Sequence, residues 1–179
     1  MADDDSGATP RFLVDENAAR LARWLRLLGY DAVYQPGADD AELVERARAE
    51  VRVLVTRDRG IMARRPVASG EARALRRPVA SGEARALLLD SDDTWRQLEQ
   101  VVDALRDLET TPRPVPFTRC AACNGTLEAV SADEARPHVP PFVAATQRQF
   151  THCPACGRYY WRGTHWQRVT ARLATLTGR

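Results

Sequence analysis

Two sets of side chains in this chain are of types and spacings that could do chemistry. The first is Cys120-x-x-Cys123 together with Cys153-x-x-Cys156, which account for every cysteine in 179 residues. Two residues between ligands let a tight turn aim both thiolates at one tetrahedral ion, and four sulfurs complete the shell of a structural Zn²⁺. Asn124-Gly125 and Gly157 follow the two pairs and can supply the positive φ that such turns need. Two disulfides, or four reduced core cysteines, are the alternatives, and a chain without secretory features argues for metal over disulfides. With four sulfurs in place, His152 is not needed as a ligand. His138, beside prolines, is expected at the surface.

The second set is acidic: Asp15, Asp40 and Asp58. Carboxylates brought together repel and raise one another's pKa unless a cation neutralises them. Hard oxygen donors favour Mg²⁺ or Mn²⁺. An ion held between such carboxylates and a phosphodiester lowers the pKa of a water and stabilises both the attacking and the leaving oxygen. Taken singly, Asp40 could be only a helix cap and Asp58 only a turn residue. The three histidines, at 138, 152 and 165, all fall in the C-terminal third, which leaves no Ser-His-Asp or Cys-His set near the acids.

Composition removes other chemistries. All 26 basic residues are arginine, so no P-loop or Schiff-base lysine exists. A net charge of +2 does not by itself point to nucleic acid. Arginine does suit phosphate, because its planar fork binds pairs of oxygens. The segment Tyr159 to Trp166 interleaves Arg162 and His165 with Tyr159, Tyr160, Trp161 and Trp166. That pattern suits stacking on bases and gripping phosphates, and equally a ribbon strand packing its own small core.

The elements that must position these groups follow from apolar patterning. Phe12-Leu13-Val14, Ala32-Val33-Tyr34, Val51 to Val55 and Ala86 to Leu89 read as short buried strands. Residues 17–28 place Leu21, Trp24, Leu25 and Leu28 on one helical face, ended by Gly29, with Arg20, Arg23 and Arg26 at its edge. Asp39-Asp40 opens a second helix carrying Leu43, Val44 and Ala47, and 93–108 a third. Strands alternating with helices imply a mostly parallel sheet covered on both faces, with sites beyond the carboxyl ends of its strands. Asp15, Asp58 and Asp90 fall at that edge, and Asp40 starts the helix that leads to the third strand.

Residues 1–10 read as a flexible acidic tail, 11–109 as the α/β domain, and 110–117 as a proline-rich linker. The ribbon occupies 118–168, and 169–179 reads as a C-terminal tail. The long gap between the cysteine pairs must hold a hairpin or loop around Pro140-Pro141. Residues 64–75 read RRPVASGEARAL, and 76–87 repeat them without a change. Each copy adds a net charge of +2, so the basic excess of the chain is concentrated there. Twelve is even, so sliding a strand by one copy keeps its inward and outward faces. The expectation is that one copy docks on the sheet and the other forms a looped or helical extension. No apolar run approaches the roughly 18 residues needed to span a bilayer. The N-terminus has neither the basic nor the apolar region of a secretory signal. A soluble, cytoplasmic protein without membrane contact is expected.

Val14-Asp15-Glu16-Asn17, then Leu21-Ala22-Arg23-Trp24-Leu25-Arg26-Leu27-Leu28-Gly29-Tyr30-Asp31, resembles the opening of the Mut-seven C-terminal RNase domain family, a group of PIN-like nucleases. Asp40-Ala41-Glu42-Leu43, Leu54-Val55-Thr56-Arg57-Asp58-Arg59, the two cysteine pairs and Tyr160 to Trp166 continue the match, over about residues 11–168. The resemblance implies a three-layer, PIN-like α/β domain with a small C-terminal zinc ribbon. It implies a metal-dependent endoribonuclease using Mg²⁺ or Mn²⁺, with structural Zn²⁺ in a ribbon that helps hold RNA. Asp15, Asp40 and Asp58 match the family's acidic positions, with Glu16 and Asp90 as candidates for a fourth. Arg20, Arg23, Arg57, Arg162, His165 and Trp166 are candidate RNA contacts. The RNA is read as single-stranded or structured, with tRNA and rRNA in view. A non-catalytic RNA-binding module, or the toxin of a toxin–antitoxin pair with a small protein partner, is the competing reading. The doubled segment 64–87 departs from the family pattern.

Overall fold

The computed structural model describes residues 9–63, 67–68, 84–106 and 113–177. Most of the acidic tail, most of the doubled segment and the first three residues of the linker lie outside these. The first unit is a five-stranded sheet. Its strands are β1 (Phe12–Val14), β2 (Ala32–Tyr34), β3 (Val53–Thr56), β4 (Val67–Ala68) and β5 (Ala84–Leu88). Their order is β2-β1-β3-β5-β4, and every neighbouring pair is parallel. A parallel sheet covered on both faces needs strands that are apolar on both faces, hence continuous runs such as Phe-Leu-Val and Val-Leu-Val.

Helices α1 (Ala19–Leu27), α4 (Thr94–Arg106) and α7 (Thr164–Thr177) pack on the face that carries Phe12, Val14, Val53, Val55 and Leu87. Helices α2 (Asp40–Ala49) and α3 (Arg59–Ala63) cover Leu13, Leu54, Ala84 and Ala86 on the other face. The expected three-layer α/β architecture is therefore present. Among the described residues, no helix is long and apolar enough to cross a membrane.

Several boundaries differ from expectation for local reasons. The chain makes a 3₁₀ turn at Glu16–Ala18 before α1 begins, because the Asp15 carboxylate accepts the Glu16 N–H at 2.6 Å and caps the turn. Val51 takes a positive φ of 52°, so it turns the chain and the third strand starts at Val53. The strand placed at Ala86 begins earlier, at Ala84, inside the second repeat copy. Val67–Ala68 of the first copy pairs with Ala84 and Arg85 as an edge strand. The looped extension expected of one copy lies outside the described residues.

The second unit is an antiparallel sheet of β6 (Glu128–Val130), β7 (Phe150–His152) and β8 (Tyr159–Trp161). The gap between cysteine pairs holds more than a loop. It contains α5 (Ala132–Ala135), a 3₁₀ turn at Arg136–His138 and α6 (Pro141–Thr146). Ala135, Val139 and Phe150 form a small core there, against which Tyr159 and Trp161 pack.

The C-terminal tail expected at 169–179 is corrected through residue 177. Thr164–Thr177 is one helix, and Val169, Leu173 and Leu176 bury their side chains in the core of the first unit. These three recur at helical spacing and face α1 and α4. Arg172 lies 4.2 Å over the Trp95 ring and 5.6 Å over that of Trp24, and the two indoles meet edge-on at 5.4 Å. The Arg106 guanidinium donates to the Leu176 carbonyl. The chain thus leaves the first unit after α4, builds the ribbon, and returns to α4.

The ribbon is fastened to the amino edge of the parallel sheet. Buried Arg26, expected on a helix surface, donates from Nε to the Ala32 carbonyl at 2.8 Å and from Nη1 to the Ala122 carbonyl at 2.8 Å. The Asn124 side chain accepts the Ala32 N–H at 3.0 Å and donates to Asp31 at 2.7 Å. Gly29 has a φ of +93°, and a Cβ on it would lie 2.3 Å from the Val115 carbonyl oxygen. Only glycine lets the linker cross there.

Asp31 joins this seam to the sheet through a two-point ion pair with Arg52, at 2.7 and 3.2 Å. Burial works to raise its carboxyl, but hydrogen bonds from Arg52 and Asn124 outweigh that, so it sits below its ordinary value. A carboxylate depressed on folding stabilises the fold fully above its unfolded pKa, near ~4, and loses that contribution as pH falls through the lowered value. Asp31→Asn should therefore lower the urea midpoint at pH 7 by the equivalent of about 1–3 kcal/mol. The gap to the parent should shrink below about pH 4. Equal gaps at pH 7 and pH 3 would show that the charge of Asp31 is not what stabilises.

Candidate functional site

Because β1, β3 and β5 are parallel, their carboxyl ends share one edge, and Asp15, Asp58 and Asp90 follow them directly. Asp15 is 6 % exposed and Thr56 fully buried. The Thr56 hydroxyl donates to Asp15 Oδ2 at 2.7 Å and accepts the Asp58 N–H at 2.9 Å. One hydroxyl thus ties the ends of neighbouring strands and sets Asp15 beside the Asp58 turn. Asn17 adds a longer bond to Asp15 Oδ2 at 3.4 Å. The Asp58 carboxylate accepts the Gly60 N–H at 2.6 Å and so opens α3. Both acids are held by short local bonds and retain lone pairs, since each carboxylate oxygen can accept twice.

The remaining acids are held by other bonds. Asp39, not Asp40, caps α2: its Oδ1 accepts the N–H groups of Ala41 and Glu42, and Glu42 returns a bond to its backbone. Asp40 occupies the first turn, in the loop-to-helix step that follows β2, at the same sheet edge. Glu16 is exposed on the 3₁₀ turn. Asp90 is exposed, and its backbone N–H donates to the Gln100 side-chain Oε1 at 3.3 Å. The ligand atoms of Asp15, Asp40 and Asp58 do not come together as one tight set. Among the described residues, the cysteine quartet is the group of three or more His, Cys, Asp or Glu side chains that does.

The four cysteine sulfurs lie within 4.8 Å of one another. Cys120 and Cys156 are 3.6 Å apart and Cys123 and Cys153 3.4 Å, and none is bonded to another. A tetrahedral ion with Zn–S bonds of about 2.3 Å separates its sulfurs by about 3.8 Å, so the cluster could hold one zinc ion. Each pair is folded by the same device. The Asn124 N–H reaches the Cys120 carbonyl at 2.9 Å, and the Gly157 N–H reaches that of Cys153 at 2.8 Å.

Asn124 and Gly157 take φ of 74° and 71°. The positive φ expected in the Asn124-Gly125 step thus falls on Asn124. Gly125 matters for space: a Cβ there would crowd Cys153 Sγ and Ala155 Cβ, each at 3.1 Å. Burial opposes the Cys120 thiolate, but the Tyr160 hydroxyl at 3.0 Å and the N–H groups of Cys123 and Ala122 outweigh it, so the thiol is lowered to about 6. Such N–H and O–H groups around sulfur are what a closed metal–thiolate site needs beyond its ligands.

The candidate RNA contacts divide by position. Arg20 and Arg23 are exposed on one stripe of α1, and Arg57 is exposed next to Asp58. Arg162 lies 5.1 Å over the Trp166 ring, which packs on Phe117 at 5.3 Å, and His165 is exposed in the first turn of α7. His138 is exposed as expected, but it also stacks on Tyr159 at 4.8 Å, and His152 meets the same ring at 4.6 Å.

Sequence reasoning missed Thr56, Asp31 and Asn124. A lone hydroxyl ending the apolar run Val53-Leu54-Val55 was the available signal for Thr56. A family model described as Mut7-C RNAse domain matches residues 10–173 of this chain. No curated protein and no solved structure matches it.

Proposed function

The chain belongs to the Mut7-C RNAse domain family, and on that premise we propose that it is a divalent-metal-dependent endoribonuclease that cuts RNA at the carboxyl edge of the parallel sheet. The observation that carries the reading is the Asp15–Thr56–Asp58 linkage. It ties the Asp15 carboxylate, through one hydroxyl, to the backbone of Asp58 where open α/β sheets place their sites. Hard oxygen donors on two adjacent strands fit Mg²⁺ or Mn²⁺. Asp15 and Asp58 would hold the ion, with Asp40 as the third acid and Glu16 or Asp90 as a further one. When bound, such an ion activates water and stabilises the charge that develops on the phosphate.

The chain's own residues supply the positioning. Asp15 is fixed through both oxygens, and the Asp58 turn is fixed through Thr56. Exposed Arg57 and Arg20 flank this edge and suit phosphate oxygens. The cysteine quartet holds structural zinc and the ribbon helps bind RNA, in keeping with its closed sulfur geometry and aromatic, arginine-rich flank. The decisive assay incubates the zinc-loaded protein with an end-labelled RNA and titrates Mn²⁺. Internal cleavage that rises with Mn²⁺ supports the reading. Binding without product at any Mn²⁺ concentration would leave an RNA-binding module instead.

A further inference from the structure

The ribbon, the linker and the outer half of α1 enclose a cleft of about 820 Å³. Its wall carries Arg23, Arg119, Arg148 and Arg162, with aromatic surface from Trp161 and Trp166 among others, and no aspartate or glutamate. The chain as a whole has 26 arginines against 24 acids, so four arginines without an acid is a local segregation of charge. Among the described residues, Arg23 and Arg148 have no carboxylate partner. Cationic forks beside half-buried aromatic rings are the chemistry of single-stranded nucleic acid: bases stack on the rings and phosphates meet the guanidinium groups. A duplex keeps its base faces inside the stack and cannot use such a wall. The volume falls within the roughly 300–1,000 Å³ of small-ligand sites, which suits a few unpaired nucleotides and not a helix.

The place of the cleft in the fold adds a second point. Helix α1 starts beside Asp15 at the carboxyl edge and runs back to the amino edge, where the ribbon is fastened. Arg20, Arg23 and Leu27 follow one stripe along it, and Arg23 and Leu27 line the cleft. Arg20 and Leu27 are separated along the axis by about 10 Å, at 1.5 Å per residue.

We propose that this cleft is a holding subsite for unpaired RNA, set apart from the cutting edge along α1, with Arg20 and Arg23 tracking the phosphates between the two. The cleavage half of this arrangement rests on the nuclease reading above; the binding half does not.

The test separates them. Fluorescence anisotropy in magnesium-free buffer, with a labelled 12-nucleotide single-stranded RNA and the same sequence as a duplex, reads binding without cutting. The zinc-loaded full chain should prefer the single strand at least tenfold. Arg148→Ala combined with Arg162→Ala should weaken single-strand binding about tenfold or more, and lower the slope of log affinity against log salt by about 0.7 per arginine removed. Zinc content and circular dichroism should stay at parent values. Weakened binding in the arginine variants with no cleavage by the parent would uphold the cleft and sink the nuclease reading. Unchanged affinity and salt slope in the arginine variants, or equal affinity for duplex, would overturn the cleft.

Discussion

Replacing Asp15 by asparagine should reduce metal-dependent RNA cleavage by about 10³-fold or more, the scale on which lost electrostatic stabilisation of a phosphoryl transition state is felt. The substitution is nearly isosteric. Asn Oδ1 can still accept the Glu16 N–H that caps the turn, now made at 2.6 Å by the carboxylate. Thr56 already accepts from the Asp58 N–H, and its second lone pair can receive the new amide in place of the bond it now donates. The stability cost should therefore stay near ~1 kcal/mol. What is lost is charge and a hard donor. Asp58→Asn should behave alike, because its amide oxygen can keep the Gly60 N–H while losing the cation. Initial rates on labelled RNA at saturating Mn²⁺, set beside circular dichroism and zinc content, make the measurement. Parent-like rates in both variants would remove the carboxylates from the chemistry, whatever the family.

That expectation draws on parts of the fold that were readable in the sequence and parts that were not. Phe12 to Val14 and Val53 to Val55 could be recognised because a strand buried on both faces must be apolar throughout, and both are fully buried. Leu21 and Leu25 marked α1 by their spacing, and the cysteine pairs marked the ribbon by theirs. Contacts between residues far apart in sequence left no such trace. Arg26 meets Ala122 across 96 positions, and Asn124 meets Asp31 across 93. Arg26 shared a period with the exposed Arg20 and Arg23 and so looked like surface.

The return of α7 was hidden differently. Val169, Leu173 and Leu176 keep helical spacing, but the arginines and threonines between them dilute it, and nothing local says that a helix after a ribbon must dock on the domain before it. The acids are intermediate. Topology brings them to one edge, as strand order alone required, while the choice of Asp39 over Asp40 as the α2 cap was decided by a capping box with Glu42. Asp39 makes the capping bonds to Ala41 and Glu42, and Asp40 sits in the first turn behind it.

Removing zinc should damage more than the ribbon. Chelation at neutral pH, or Cys153→Ser, is expected to abolish zinc content and to lower the thermal midpoint by about 10 °C or more, since each kcal/mol lost shifts a domain of this size by about 2–4 °C. The reason lies in the seam. Four thiolates around a Zn²⁺ would carry a net charge of −2, and buried Arg26 faces the cysteines. Burial pushes its guanidinium down, and the charges of Cys120, Cys123 and Asp31 oppose that. If the cysteine turns unfold, the Ala121 and Ala122 carbonyls leave Arg26, and a charge sunk in the sheet edge loses acceptors, a cost of about 1–3 kcal/mol.

Asn124 would leave Ala32 and Asp31 in the same event, exposing the first hydrogen bond of β2. The ribbon also orients α7, whose Leu173 and Leu176 close the core and whose Arg172 covers Trp24 and Trp95. Two tryptophans, Trp161 and Trp166, sit in or beside the ribbon, and two, Trp24 and Trp95, in the first unit. Variants retaining only one pair would show by emission which unit melts. Coupled melting of both pairs on chelation is the expected result. If the Trp24–Trp95 signal kept its parent midpoint while zinc was lost, the ribbon would be an independent passenger and the Arg26–Asn124 seam would carry no stability.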